Sequence, residues 1–245
     1  MHRVFLPPSA IHGDRATVSD ARARHHLRDV LRLAPGDQVE CFDGQGAGYV
    51  AVIERAGPRA VELKLLKRRE DHAPAALRIT VAQALIRPER FEWAIEKMTE
   101  LGVARIVPLV TARTVVRPVA ARSTAKIARW RRIAQEAARQ CGRADLPAVE
   151  EPQPLAAFVP SLAGVSHALM PTLAVPGPLL REALSDGRPL EAVTVLIGPE
   201  GDFTEEEIQL AQRSGARPVS LGALTLRAET AATAIVAMLR YHAGL

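Results

Sequence analysis

The sequence predicts an α/β protein: a mainly parallel sheet with helices on both faces, preceded by a small β-barrel. Three observations carry this. From residue 77 onward, apolar runs of strand length alternate with segments of helical period, as in a parallel sheet built from crossover units. Before that, short strand-like runs are separated by turn residues, which fits a small barrel. Between the two patterns lies a charged, proline-ended segment, residues 68–74, so residues 1–72 are expected to form one domain and 73–245 a second. With 245 residues, 48% of them hydrophobic, the chain is long enough to bury two cores.

In chain order, residues 3–6 read as a first strand, stopped by Pro7 and Pro8. Residues 19–33 read as a helix capped by Ser19, with Leu27, Val30 and Leu31 on its apolar side. Strands follow over residues 38–42, 49–53 and 60–65. Gly44, Gly46 and Gly48 make a hairpin loop rather than a phosphate site, because no helix follows them. In the second domain, strands over 77–85 and 105–110 flank a helix over 88–101. Phe91, Ala94, Ile95, Met98 and Leu101 share one of its faces, and Gly102 closes it. Phe91 and Trp93 are assigned to packing and interface rather than to base stacking. The helix over 123–141 buries Ile127, Trp130, Ala134, Ala137 and Cys141. The rhythm resumes with a strand over 168–173 and a helix over 178–184.

Two corners near the C-terminus concentrate the chemistry. Val193 to Ile197 reads as a buried strand running into Gly198-Pro199-Glu200-Gly201, and Thr204 with Glu207 three residues on forms a capping box that opens a helix. Leu221-Gly222 ends another short strand, and Leu226-Arg227-Ala228-Glu229-Thr230 opens a final helix that is apolar nearly all round. Such a helix must be buried on several sides, which suggests a homodimer in which each protomer completes the other's site. Strand ends that open helices are where α/β proteins hold ligands. Glu200 and Asp202 disfavour a phosphate cradle and suit a ligand with a positive centre. The dinucleotide and nucleoside triphosphate glycine patterns are both missing. Taken alone, the first corner reads equally well as a tight turn.

Charge and cysteines narrow the class. No run of about 18 apolar residues is present, so no membrane span is expected. The start lacks a secretory apolar segment. Cys41 and Cys141 lie far apart without ligand spacing, which predicts two buried or half-buried thiols, no metal site and a cytoplasmic, reduced protein. The net charge of +5 is uneven: residues 1–72 carry +2, 73–150 carry +7 and 151–245 carry −4. Between Arg105 and Arg143 stand ten basic residues and one acid, Glu136. A polyanion partner explains that run; a solvated helix face is the plainer alternative. His25, His26, Arg28 and Arg32 offer a second basic group, on a helix face that reads equally well as merely exposed.

The two corners together resemble those of the RsmE family, the 16S ribosomal RNA uracil-N3 methyltransferases of the SPOUT superfamily. Lys97, Glu100, Leu101, Gly102 and Val103 match that family's Lys-x-x-Glu-Leu-Gly-Val signature, and Glu136-Ala137 with Gln140-Cys141-Gly142-Arg143 is similar to its Glu-Ala…Gln-Ser-x-Arg motif. There are three departures. Asp202 stands at the second glycine of Gly-Pro-Glu-Gly-Gly, Leu224 stands where an arginine is common, and Cys141 replaces a serine. The resemblance implies a SPOUT-type sheet with a C-terminal trefoil knot, which no alternation pattern can reveal, and a PUA-like RNA-binding barrel. It also implies S-adenosylmethionine as cofactor and 16S rRNA, within the small ribosomal subunit, as substrate.

The expected sites follow. By family analogy and from their small or apolar side chains, Ile197, Gly198, Gly201, Leu221, Gly222 and Leu226 hold the adenosine through backbone groups. Met170, Pro171, Pro199, Glu200 and Thr230 complete the cofactor set. Arg3, Arg28, Arg113, Arg132, Glu136, Gln140 and Arg143 are the expected RNA contacts. Uracil N3 is a poor nucleophile until its proton leaves, so the site needs a proton acceptor and a donor for the charge that spreads to O2 and O4. Arg227 is expected to stabilise that charge and Glu229 to accept the proton; alternatively, Glu229 and Thr230 cap the last helix and pair with Arg227. Two other functions fit the same residues: a SPOUT ribose-2′-O or tRNA methyltransferase, and a non-catalytic RNA-binding or ribosome assembly protein.

Overall fold

The computed structural model describes residues 2–70, 77–116, 120–185, 187 and 190–244, the side chains of 70 and 120–123 apart. The chain forms two compact units: Met1–Pro74 with Gln135–Leu146, and Ala75–Ala134 with Pro147–Leu245.

The first unit holds β1 (His2–Phe5), β2 (Ile11–His12), β3 (Arg15–Val18), β4 (Gln38–Phe42), β5 (Ala47–Ala56) and β6 (Val61–Glu70). They form one sheet in the order β1-β4-β5-β6-β3-β2, with β1 parallel to β4 and the other pairs antiparallel. Val4 of β1 and Ala16 and Val18 of β3 enter the same buried cluster as Val39, Cys41, Ile53 and Leu63, so the sheet curls around one core. It stays open, with β1 and β2 at its edges, where the sequence predicts a barrel. The glycine loop is the expected hairpin, and Asp43 Oδ1 ties it by accepting from the N–H groups of Gln45 and Ala47. The expected 15-residue helix is cut to α1 (Ala21–His25), followed by a wider turn over His26–Val30. Its cap is Asp20, not Ser19: the Asp20 carboxylate accepts from Arg22 N at 3.1 Å and Ala23 N at 2.8 Å. Val30 is left 57% exposed. Residues 68–70 belong to β6, so the charged boundary starts inside a strand; residues 71–74 lie outside the described residues.

The second unit contains β7 (Arg78–Ala84), α2 (Pro88–Glu100), β8 (Arg105–Val110), α3 (Ala120–Cys141), β9 (Ala148–Val149), β10 (Gln153–Pro154), α4 (Leu155–Phe158), β11 (His167–Pro171), α5 (Leu180–Ala183), β12 (Ala192–Ile197), α6 (Glu205–Arg213), β13 (Ala216–Val219) and α7 (Ala228–His242). The last turns of α3 are grouped with the first unit. The strands run parallel in the order β10-β8-β7-β12-β11-β13, with β9 beside β8.

Both faces of this sheet are buried, as the near-continuous apolar runs of its strands require. Val193, Val195 and Ile197 of β12 join the cluster that α2, α3 and α7 cover, while Leu196 joins the cluster under α4 and α6. Phe91 of α2 meets Trp130 of α3 with ring centroids 4.7 Å apart, and burying side chains of that size stabilises by about 2 kcal/mol or more each. Trp93 is 43% exposed. Gly102 ends α2 at φ 79°, a left-handed conformation that suits glycine, and Arg240 of α7 donates to the free carbonyls of Leu101 and Gly102.

The two cysteines differ more than the sequence suggests. Cys41 is 1% exposed and its thiol is pushed up to about 12 by burial, whereas Cys141 is exposed near the end of α3. A thiol reagent should therefore modify one cysteine per native chain, Cys141, and the second only in denaturant. Rapid modification of both in the native protein would contradict this packing.

Candidate functional site

The strand ends of the second unit converge on a cavity of about 250 Å³, near the lower end of the range for ligand pockets. One wall is the corner after β12: Ile197, Gly198, Pro199 and Glu200. A second is the corner after β13: Leu221, Gly222, Leu226 and Arg227. A third is the exit of β11, through Pro171, Thr172 and Leu173. The structure thus brings the two sequence corners together because β11 lies between β12 and β13 in the sheet.

Local chemistry fixes each wall. The capping box is present: Thr204 Oγ1 accepts from Glu207 N, and Glu207 Oε2 accepts from Thr204 N at 3.0 Å. The other Glu207 oxygen accepts from Ala112 N at 2.7 Å, and Arg113 Nη1 donates to the carbonyls of Gly201 at 2.6 Å and Phe203 at 3.3 Å. The loop after β8 therefore braces the turn after β12. Arg113, expected on RNA, is exposed and supplies that brace.

Arg227 is the N-cap residue of α7, exposed, on the cavity wall. Among the described residues its guanidinium takes part in no ion pair or hydrogen bond, so the alternative pairing with Glu229 is not made. Glu229 does not line the cavity. It is 7% exposed, with Oε1 3.6 Å from Arg90 Nε and with Oε2 buried and, among the described residues, unpartnered. Arg90 also lies 3.8 Å from Glu200, so the two carboxylates share one guanidinium.

Three expected cofactor residues stand off the cavity. Met170 is fully buried in the core under α4 and α6, Gly201 lends its carbonyl to Arg113, and Thr230 is exposed on the first turn of α7. Sequence reasoning missed Thr172, Leu173, Val219, Thr225, Ala228 and Ala231, took Leu224 only as a departure, and took Asp202 as a departure and as acid suited to a positive ligand; all eight line the cavity. Their one available signal was position, at or beside strand ends next to β12. Leu173 and Leu224 are 67% and 79% exposed, giving the mouth an apolar rim.

The expected RNA residues are spread over both units. In the first, Arg3 stacks 4.7 Å above the Phe42 ring, and Arg143 is 7% exposed and doubly bonded to Asp145, a packing role rather than a free contact. Arg28 is bonded to Asp29, whose carboxyl is held down at about 2 by Arg28 first and His25 second. Glu136 is paired with Arg139, and Gln140 is exposed. In the second unit, Arg132 is exposed on α3. The acids missing from the basic run come from elsewhere in the chain: Arg105 pairs with Glu150, Arg129 with Glu92 and Arg143 with Asp145. The surface is therefore less basic than the run suggests.

Comparison with known proteins adds the following. A family profile described as an RNA methyltransferase domain matches residues 73–240, and one described as an RNA methyltransferase PUA domain matches residues 19–66. The ribosomal RNA small subunit methyltransferase E of a Synechocystis species is 35% identical over 97% of this chain and 77% of its own length. The protein of the same name from Mycobacterium bovis is 32% identical over 88% of this chain and 82% of its own. Among solved structures, ribosomal RNA small subunit methyltransferase E from Neisseria gonorrhoeae, bound to S-adenosyl methionine, is 28% identical with a TM-score of 0.87, covering 99% of this chain and 98% of that one. A Legionella pneumophila protein solved with the bound cofactor SAM is 33% identical with a TM-score of 0.88, covering 98% and 97%.

Proposed function

Because the chain belongs to the RNA methyltransferase family, we propose that it transfers a methyl group from S-adenosylmethionine to N3 of a specific uridine in 16S rRNA of the small ribosomal subunit. The observation that supports this reading best is the single cavity shared by the two strand-end corners, with an uncommitted arginine, Arg227, on its wall. The residues present fit the cofactor. Ile197, Val219, Leu221 and Ala231 offer apolar surface to a purine ring, and Glu200 places acid where a sulfonium centre needs it. When bound, the cofactor supplies a methyl group already activated on sulfur, so the protein's task is alignment and charge.

Arg227 stabilises the negative charge that develops on the uracil oxygens, and the positive end of the α7 dipole adds to it. Glu200, on the cavity wall, takes the N3 proton, and Glu229 behind it is the second carboxylate on the shared Arg90 guanidinium. In this reading the C-terminal segment is knotted; the order β12-β11-β13, in which the chain leaving β12 crosses β11 to place the last strand on its far side, supports that arrangement. The division at residue 72 separates an RNA-gripping domain, to which Arg3, Arg28 and the PUA match belong, from the methyl-transferring one. The target base must be splayed from its stack to reach the cavity. A calorimetric titration with S-adenosylmethionine tests the cavity: binding near one equivalent per chain is expected, and no heat of binding overturns the reading.

The protein works as a homodimer in this account. α7 buries Ala232, Ile235, Val236 and Leu239, yet leaves Met238 42% and Tyr241 86% exposed beside Ala237, an apolar face without cover among the described residues. Light scattering should give twice the chain mass, and Met238→Glu with Tyr241→Glu should give monomers. A wild-type monomer at working concentration would contradict it.

A further inference from the structure

Asp202 stands in the left-handed region at φ 60°, where few residues other than glycine settle. Its carboxylate accounts for its presence there. Oδ2 accepts from Thr172 Oγ1 at 2.8 Å and from Leu173 N at 2.9 Å, and Oδ1 accepts from Phe203 N at 2.8 Å. Thr172 Oγ1 in turn accepts from Ala174 N at 3.1 Å. One carboxylate thus fastens the segment leaving β11 to the turn leaving β12, through bonds strengthened by its charge. Thr172, Leu173 and Asp202 all line the cavity, so the tie lies across two of its walls.

We propose that Asp202 is a positioning residue for the cofactor: it latches the Thr172–Leu173 wall to the Gly198–Phe203 turn and so fixes the width of the cavity before the ligand arrives. This rests on the reading that the cavity holds S-adenosylmethionine. The turn itself has a second anchor in Arg113, which grips the Gly201 and Phe203 carbonyls. Cutting the latch therefore frees the 172–174 wall while the turn keeps its place. A wall that must be ordered on binding weakens affinity without altering the reacting groups.

Asp202→Gly isolates this function, because glycine accepts φ 60° without strain and only the carboxylate is lost. The dissociation constants of S-adenosylmethionine and S-adenosylhomocysteine should both rise about tenfold, the scale of one lost charge-assisted bond. KM for S-adenosylmethionine should rise in parallel, while kcat and the melting temperature of the free protein change little. Asp202→Asn keeps one acceptor oxygen and should recover part of the affinity. Thr172→Val should weaken binding in the same direction, and the double variant should be no worse than Asp202→Gly, since both cut one connection. If Asp202 instead touched the cofactor directly, Thr172→Val would be neutral and the latch would be refuted. If wild type binds and Asp202→Gly binds equally well, the latch falls while the reading of the cavity stands. If wild type binds neither ligand, that reading falls and takes the latch with it.

Discussion

Arg227→Ala should slow methyl transfer by about two to three orders of magnitude, the usual cost of removing one donor from a developing negative charge. The side chain is exposed on the cavity wall and, among the described residues, engages no partner, so its removal leaves no orphaned group behind. Stability should accordingly change by no more than about 0.5 kcal/mol in a denaturant titration. Single-turnover transfer at saturating cofactor reads the chemical step, and Arg227→Lys, which keeps the charge but loses the fork, should fall between the two. A near-normal rate for Arg227→Ala would remove it from the mechanism.

The second large effect belongs to a glycine outside the motifs. A Cβ at Gly177 would sit 2.6 Å from the Pro218 carbonyl oxygen and 2.8 Å from its carbon, both backbone atoms of β13. The segment cannot swing aside cheaply, because Ser220 N donates to Pro178 O and Leu180 N to Ser220 O. Gly177→Ala should therefore destabilise by about 1–3 kcal/mol, as overpacking does. It should also displace the end of β13, where Val219 and Leu221 line the cavity, and so weaken cofactor binding. Thermal unfolding and a titration on the same variant check both parts. An unchanged midpoint would show that the strand end yields freely.

Much of this molecule was legible because its signals are local. The β4 range matches the predicted one, Thr204 and Glu207 form the predicted capping box, and the apolar face of α2 is buried through Phe91, Ala94, Ile95 and Met98. The parallel sheet followed from alternation, and adjacency of its strand ends put the two corners on one cavity. What the sequence could not show depended on partners distant in sequence. The basic run looked uncompensated because Glu92 and Glu150 reach it only through the fold. Arg113, expected on RNA, also grips two carbonyls nearly ninety residues away, which no local pattern shows. Glu229 sits in a motif beside Arg227, yet the helical turn that exposes Arg227 turns Glu229 toward Arg90. Short elements such as β2, β9 and β10 carry too few residues for a period to register.

Isotopically labelled S-adenosylmethionine supplied with 16S rRNA, free and assembled into small ribosomal subunits, followed by identification of the labelled nucleoside by mass spectrometry, decides whether this protein is a uracil-N3 methyltransferase. Label is expected in 3-methyluridine at one position. Label in a ribose-methylated nucleoside, label in transfer RNA alone, or RNA binding without any transfer would contradict it.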